Sequence, residues 1–305
     1  MAKVYPADAF MNPDYLTLKP KLLEFLDQIP FDAIALQVAG KTGKHAGEIS
    51  SLLDTYANES LVSLELVAKR LTSTERVLEV GAGLCLLSLF LKQQGYSVIA
   101  LEPALGGYGL FDQTKDAIRE HFSSIQLEVL TVPAQALTVD EHGSFDLIFS
   151  NNVMEHIPDW PSAISAMATV LSENGTMVHA CPNYTVPYEP HYGIPVFRHF
   201  RGLSALLFLP KDADTEIWNS LNLITSNQIK RFCRTQNLTC DFEKSLLYKA
   251  FQRIHDDPVF QQRHQGMIST AANLAVKTPF RQLIRNIPAS LSTPMIFEIR
   301  HSGVM

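Results

Sequence analysis

Between residues 76 and 102 an apolar run, a glycine turn, a helical run, a second apolar run and an acid follow one another without a break. Arg76–Val80 (RVLEV) reads as a strand, Gly81-Ala82-Gly83 as a tight turn, Leu86–Gln94 as a helix and Ser97–Leu101 (SVIAL) as a second strand. Strands that are apolar on both faces belong to a parallel sheet covered by helices on each side. Glycines let the backbone turn sharply and approach a ligand with no Cβ in the way. The helix start behind them offers N–H groups to a carboxylate or phosphate. Glu102, nineteen residues after Gly83, is placed to bind the vicinal hydroxyls of a ribose. GxG alone is a weak signal; the order strand, GxG, helix, strand, acid makes it specific.

The alternation continues downstream. Gln113–Phe122 reads as a helix, Ile125–Leu130 as a third strand, Phe145–Ser150 as a fourth and Ser162–Leu171 as a helix, and Gly175 is expected to turn the chain into a fifth strand, Thr176–Ala180. Ser226–Gln236 is a further helix, Leu238–Glu243 a sixth strand and Met295–Arg300 a seventh. Upstream, Tyr15–Ile29 has helical apolar spacing closed by Pro30. After a loop from Gly40 to Gly47, Ser60 reads as the N-cap of another amphipathic helix. The expected architecture is α/β: a Rossmann-like doubly wound sheet of seven mostly parallel strands. Residues 1–75 form a helical N-terminal extension. Residues 76–305 form the core, interrupted by lid insertions at 182–224 and 245–294, since loops of that length are functional covers or carry their own helices.

Composition narrows the function classes. With 46% hydrophobic and 18% charged residues in 305, the chain is neither disordered nor stapled by disulfides. Its 25 Lys+Arg against 31 Asp+Glu lack the positive charge that phosphate-backbone binding needs, so no nucleic-acid partner is expected. Four scattered cysteines (Cys85, Cys181, Cys233, Cys240) form no CxxC pair and read as reduced, mostly buried thiols. The N-terminus has no apolar signal core, and the stretch Leu203–Pro210 is far short of the ~20 residues of a spanning helix. A soluble, cytoplasmic protein is expected.

A dinucleotide fingerprint would place a glycine at Leu86. Glu79, two residues before the first glycine, would repel a pyrophosphate and suits an ammonium group. An NAD(P)-dependent oxidoreductase is therefore disfavoured; a non-catalytic nucleoside-binding protein on the same sheet is the other alternative.

The stretches VLEVGAGLCLLSLFL (77–91), VIALEP (98–103), FDLIFSNNVMEHIPD (145–159) and SENGTMVHACPN (172–183) resemble successive motifs of class I S-adenosylmethionine-dependent methyltransferases. The small-molecule branch with the quinone-biosynthesis enzymes is nearest. The resemblance covers roughly residues 60–183, with a weaker continuation through 226–236 and the terminal strands, and it implies an antiparallel last strand. It implies S-adenosyl-L-methionine as cofactor, with Glu79, Gly81, Ala82 and Gly83 around its methionine part and ribose, and Glu102 on both ribose hydroxyls. Leu101 and Pro103 would shape the adenine wall. Asn151 would face the methionine amino group through its backbone, and Asn152 is a further cofactor-binding candidate. Two departures stand out: Cys85 replaces a frequent third glycine, and Pro133-Ala134-Gln135-Ala136-Leu137 lacks the family's adenine-reading acid, leaving Gln135 or main-chain groups near Ala134.

The implied reaction is methyl transfer to a small-molecule acceptor, in which in-line positioning and desolvation do most of the work. An oxygen or nitrogen acceptor also loses a proton, which a histidine can take. His156, just past the fourth strand, and His191 are the candidates. The proline-rich stretch 182–195 leaves the fifth strand where methyl acceptors lie in such enzymes, and Asn183, Tyr184, Tyr188 and Glu189 are the candidate acceptor contacts. Glu189 with His191, or Asn152 with Glu155 and His156, carry metal-ligating atoms, but these groupings have no fixed geometry, and no metal is expected. Phe197–Leu209 mixes cations with apolar residues, as an interfacial helix or a buried lid helix would, so peripheral membrane contact is the most that is expected. Residues 244–301 carry eight Lys/Arg against three Asp/Glu, a charge that favours an anionic acceptor.

Overall fold

The computed structural model describes residues 13–72, 75–103, 109–211, 213, 215–246 and 286–303. Most of the second expected insertion, and with it most of the basic stretch, lies outside the described residues. The described residues within 13–153, 159–179 and 300–303 form one compact unit, and those within 154–158 and 180–299 form the other.

The first unit opens with three helices, α1 (Pro13–Asp27), α2 (Phe31–Thr42) and α3 (Ala46–Val67). Gly43, with φ 70°, ends α2 in the left-handed conformation that glycine adopts without a Cβ penalty. The expected loop from Gly40 is thus helical as far as Thr42. Ser60 is not an N-cap: it lies inside α3, and its hydroxyl donates back to the Tyr56 carbonyl at 2.8 Å. The cap is His45, whose ring accepts from Gly47 N.

The glycine-turn region follows the sequence closely: β1 is Arg76–Val80, α4 Leu86–Gln93 and β2 Ser97–Leu101. Next come α5 (Gly109–His121), β3, α6 (Val139–His142), β4 (Phe145–Asn151), α7 (Trp160–Thr169) and β5 (Leu171–Cys181). Three expectations change here. β3 is only Val129–Leu130, because Ile125–Leu127 closes a turn through Leu127 N to Ile125 O. α7 starts at Trp160, since Asp159 caps it on Ser162 N and Pro161 stands in its first turn. β5 runs straight through Gly175 instead of starting after it.

The other unit carries the hairpin strands β6 (Tyr188–Glu189) and β7 (Ile194–Pro195), the helices α8 (Arg201–Phe208), α9 (Thr215–Ser220) and α10 (Ser226–Thr235), then β8 (Leu238–Phe242) and β9 (Met295–His301). The main sheet has seven strands in the order β3-β2-β1-β4-β5-β9-β8. β1 pairs in parallel with β2 and β4, and β2 with β3, while pairing turns antiparallel at the last strands. Flanking helices complete the expected Rossmann-like fold.

Each unit has its own apolar interior. In the first, Phe25 stacks on Phe122 with centroids 4.7 Å apart and leans on Phe90 at 5.8 Å, which ties α1 to α4 and the chain after α5. In the second, Tyr184, Ile194, Val196, Trp218, Leu221 and Leu223 form one buried cluster that holds the hairpin against α9 and the segment after it.

Candidate active site

The turn after β1 is pinned by its own backbone: Gly81 N and Ala82 N both donate to Leu101 O, at 2.8 and 3.2 Å. Gly81 (φ 70°) and Gly83 (φ 57°) are left-handed, and a Cβ on either would lie 2.3 Å from Val153 or from the Tyr56 ring. Glycine is therefore required twice at each position, by conformation and by space. Cys85, where the resemblance expects a third glycine, also holds φ 60°, so that departure is accommodated as left-handed strain at a buried residue.

Two acids face this turn. Glu102 Oε2 accepts from Gly83 N at 2.7 Å, and burial pushes its carboxyl up to about 7 despite that bond. Glu79 is buried and takes a hydrogen bond from the Ser88 hydroxyl. Burial pushes it up to about 8, against the lowering effect of Ser88. An ammonium ion beside Glu79 would offset the burial that keeps it neutral and favour its carboxylate form, and Glu102 beside a glycine backbone suits a diol. The residues present fit S-adenosylmethionine.

Sequence reasoning missed the roof of this cradle. Glu59 of α3 accepts from Asn151 Nδ2 at 2.7 Å and from Asn152 Nδ2 at 3.1 Å, and Asn152 is itself left-handed with φ 54°. Tyr56, one helical turn earlier on the same face, is the residue that excludes a side chain at Gly83. An acid and an aromatic three residues apart on one helix face were the available signal. On the adenine side, Ala134 is buried in a short 3₁₀ turn and Gln135 Nε2 donates to Asp159 O at 3.3 Å. Pro103 stands two residues past the end of β2, after Glu102.

The second unit gathers the other candidates. His156 Nδ1 lies 2.7 Å from Ser220 Oγ, and that hydroxyl donates its proton to Ile217 O. The network therefore assigns the His156 proton to Nδ1. Burial, then the neighbouring His191, pulls His156 down to about 4, so the ring is neutral at physiological pH. Its centroid is 5.3 Å from that of His191.

His191 Nδ1 and His191 N both stand 2.6 Å from Glu189 Oε1, and Tyr184 OH donates to Glu189 Oε2 at 2.5 Å. Burial alone would raise the Glu189 carboxyl, but the bonds from His191 and Tyr184 outweigh it and hold it below the usual range. An ionised carboxylate only accepts, so Nδ1 of His191 carries a proton. Glu155, His156 and His191 each bring one metal-ligating atom within 4.8 Å of the others, joining halves of the two groupings weighed from sequence.

The remaining acceptor candidates divide. Asn183 is engaged by the fold: its Nδ2 donates to Ser290 O and Ser292 O, and its Oδ1 accepts from Thr185 N and Ser226 N. Tyr184 reaches Glu189, and Tyr188 pairs with Pro195 across the hairpin. Ser220, which sets the His156 tautomer, was not legible from sequence.

A family model described as a methyltransferase domain matches residues 54–241. An uncharacterized protein of Mycobacterium tuberculosis is 32% identical over 279 residues, covering 87% of this chain and 92% of its own. A ubiquinone biosynthesis O-methyltransferase of Xanthomonas campestris is 32% identical over 127 residues, 41% of this chain and 50% of that protein. Among solved structures, the YcgJ protein of Bacillus subtilis has a TM-score of 0.47 at 16% identity, covering 81% of this chain and 100% of its own. A Haemonchus contortus phosphoethanolamine N-methyltransferase in complex with S-adenosyl-L-methionine has a TM-score of 0.46 at 14% identity, over 80% and 52%. The chain belongs to the methyltransferase domain family and is an S-adenosylmethionine-dependent methyltransferase.

Proposed function

We propose that this methyltransferase acts on a hydroxyl group of a small-molecule acceptor, with His191 as the base. The observation that carries the reading is the Glu189–His191 hydrogen bond of 2.6 Å, with Tyr184 closing the other carboxylate oxygen. When bound, S-adenosylmethionine supplies a methyl group made electrophilic by its sulfonium. A hydroxyl is a poor nucleophile until its proton leaves, whereas an amine attacks through its own lone pair, so a built carboxylate–imidazole pair suits oxygen best. In the neutral ring Glu189 fixes the Nδ1–H tautomer, which leaves Nε2 as the atom that takes the proton, and it stabilises the imidazolium once it forms. Tyr184 and the hairpin backbone hold Glu189 still. The partial similarity to ubiquinone O-methyltransferases supports the same reading.

The test is incubation of the full chain with methyl-labelled cofactor and fractionated cell extract, wild type beside His191→Gln. The expected result is label in hydroxyl-bearing products, lowered at least about 100-fold by the substitution. Equal labelling by the variant, or label confined to amines, overturns the reading.

A further inference from the structure

Next to Glu189 the second unit contains a cavity of about 780 Å³, within the ~300–1,000 Å³ of small-molecule sites. Tyr184, whose hydroxyl holds Glu189, forms part of its wall, so the cavity and the proposed base share a residue. Its lining carries Arg198, His199 and Arg231 and no aspartate or glutamate. Val196, Phe197 and Phe200 supply apolar surface.

The two arginines differ in how they are held. Arg198 Nε donates to Leu223 O at 3.2 Å, which anchors the stem; the rest of its guanidinium makes no other hydrogen bond or ion pair among the described residues. Arg231, exposed on α10, makes none. The first turn of α10 adds little positive potential, because Ser226 N is bonded to Asn183 Oδ1 and Gln228 N to the capping Thr225. The charge at this cavity therefore comes from the side chains. Guanidinium groups without a carboxylate partner, set against aromatic and aliphatic walls, match an anion carried on an apolar body.

We infer that the cavity binds the acceptor through a phosphate or carboxylate group, the apolar part of the molecule lying along Val196, Phe197 and Phe200. This deepens the reading that the site takes a small-molecule acceptor, and rests on it. Arg198 and Arg231 hold the anion; Tyr184 connects the cavity to Glu189 and through it to His191.

The experiment is calorimetric titration of the full chain, with S-adenosylhomocysteine present, by hexyl phosphate, hexanoate, hexanol and inorganic phosphate. At least one hexyl anion is expected to bind tenfold or more tightly than hexanol and than inorganic phosphate, and the tighter of the two identifies the head group. Arg231→Glu, at an exposed position, is expected to weaken that anion tenfold or more while affinity for S-adenosylhomocysteine stays unchanged. Arg198→Met serves as the second variant, with the same loss expected. Hexanol or inorganic phosphate binding as tightly as the tighter anion, or anion affinity unmoved in Arg231→Glu, overturns the inference. These titrations involve no methyl transfer, so they fail or succeed independently of the His191→Gln labelling assay.

Discussion

Glu189 Oε1 accepts two hydrogen bonds from one residue, His191, through its backbone N and its ring Nδ1, each at 2.6 Å. That double grip fixes both where the imidazole stands and which of its nitrogens is protonated. His156, at the end of a short 3₁₀ turn, is instead held neutral by its burial.

His156, held down at about 4, is neutral throughout pH 5–8 and adds no limb to kcat/KM there. His156→Ala is expected to leave the profile of kcat/KM between pH 5 and 8 unchanged in shape, and His191→Gln to remove most of kcat. Glu189→Gln should lower kcat about 10–100-fold with cofactor KM unchanged. Steady-state profiles of the three variants check this.

Cofactor affinity should also depend on pH. Glu102, raised to about 7, accepts from ribose hydroxyls best when ionised, so binding tightens as pH rises toward 7, with a limit of about tenfold per pH unit. Glu102→Gln is expected to weaken S-adenosylhomocysteine at least about tenfold and to flatten the dependence between pH 6 and 7. The rise left between 7 and 8 belongs to Glu79. Calorimetric titrations at pH 6, 7 and 8 measure both effects.

In the cofactor-free protein, Glu79 makes a stability prediction of opposite sense. Its carboxyl is raised from 4.5 to about 8, so its contribution is fully present below pH 4.5 and is lost as pH rises through 8. Glu79→Gln keeps an acceptor for Ser88 and removes the charge. Its melting temperature should therefore gain on wild type between pH 6 and pH 9, at roughly 2–4 °C for each kcal/mol. A difference that is constant across that range contradicts the assignment.

Chelation separates a proton-transfer site from a metal site. Nδ1 of His156 and of His191 is committed to Ser220 and Glu189, and the proposed base works without a cation. Turnover is expected to be unchanged after dialysis against EDTA. Loss of activity restored by a divalent cation would instead assign Glu155, His156 and His191 as its ligands.

What the sequence made legible was local. The strand, glycine turn, helix, strand and Glu102 occupy one stretch whose periodicity and turn chemistry agree, and the structure places them as read. Glu59 was hard to reach because it meets Asn151 across 92 positions of sequence, and its three-residue spacing from Tyr56 was the only local sign of that face. Ser60 misled for a physical reason: serine caps a helix start, yet within a helix its hydroxyl can turn back to the carbonyl four residues earlier, as it does to Tyr56. The strand pattern at Ile125–Leu130 was real as an apolar run, but only its last two residues find a partner in β2. In the proline-rich stretch the residue types pointed to chemistry, while the pairing of Tyr184 with Glu189 needed the hairpin to be seen.

The hairpin that carries Glu189 and His191 has a consequence for how such a chain diversifies. Its Tyr188–Pro195 and Glu189–Ile194 pairings make the acid and the imidazole neighbours through a turn, with no help from distant sequence. The groups proposed to face the cofactor are held instead by the glycine turn, β2 and α3. On the proposed reading, mutation can therefore rewrite one short ribbon and change which molecule is modified, while the proposed donor site is left untouched. Descendants of such a gene would diverge first in that ribbon, and their glycine turns would stay alike long after their products differed.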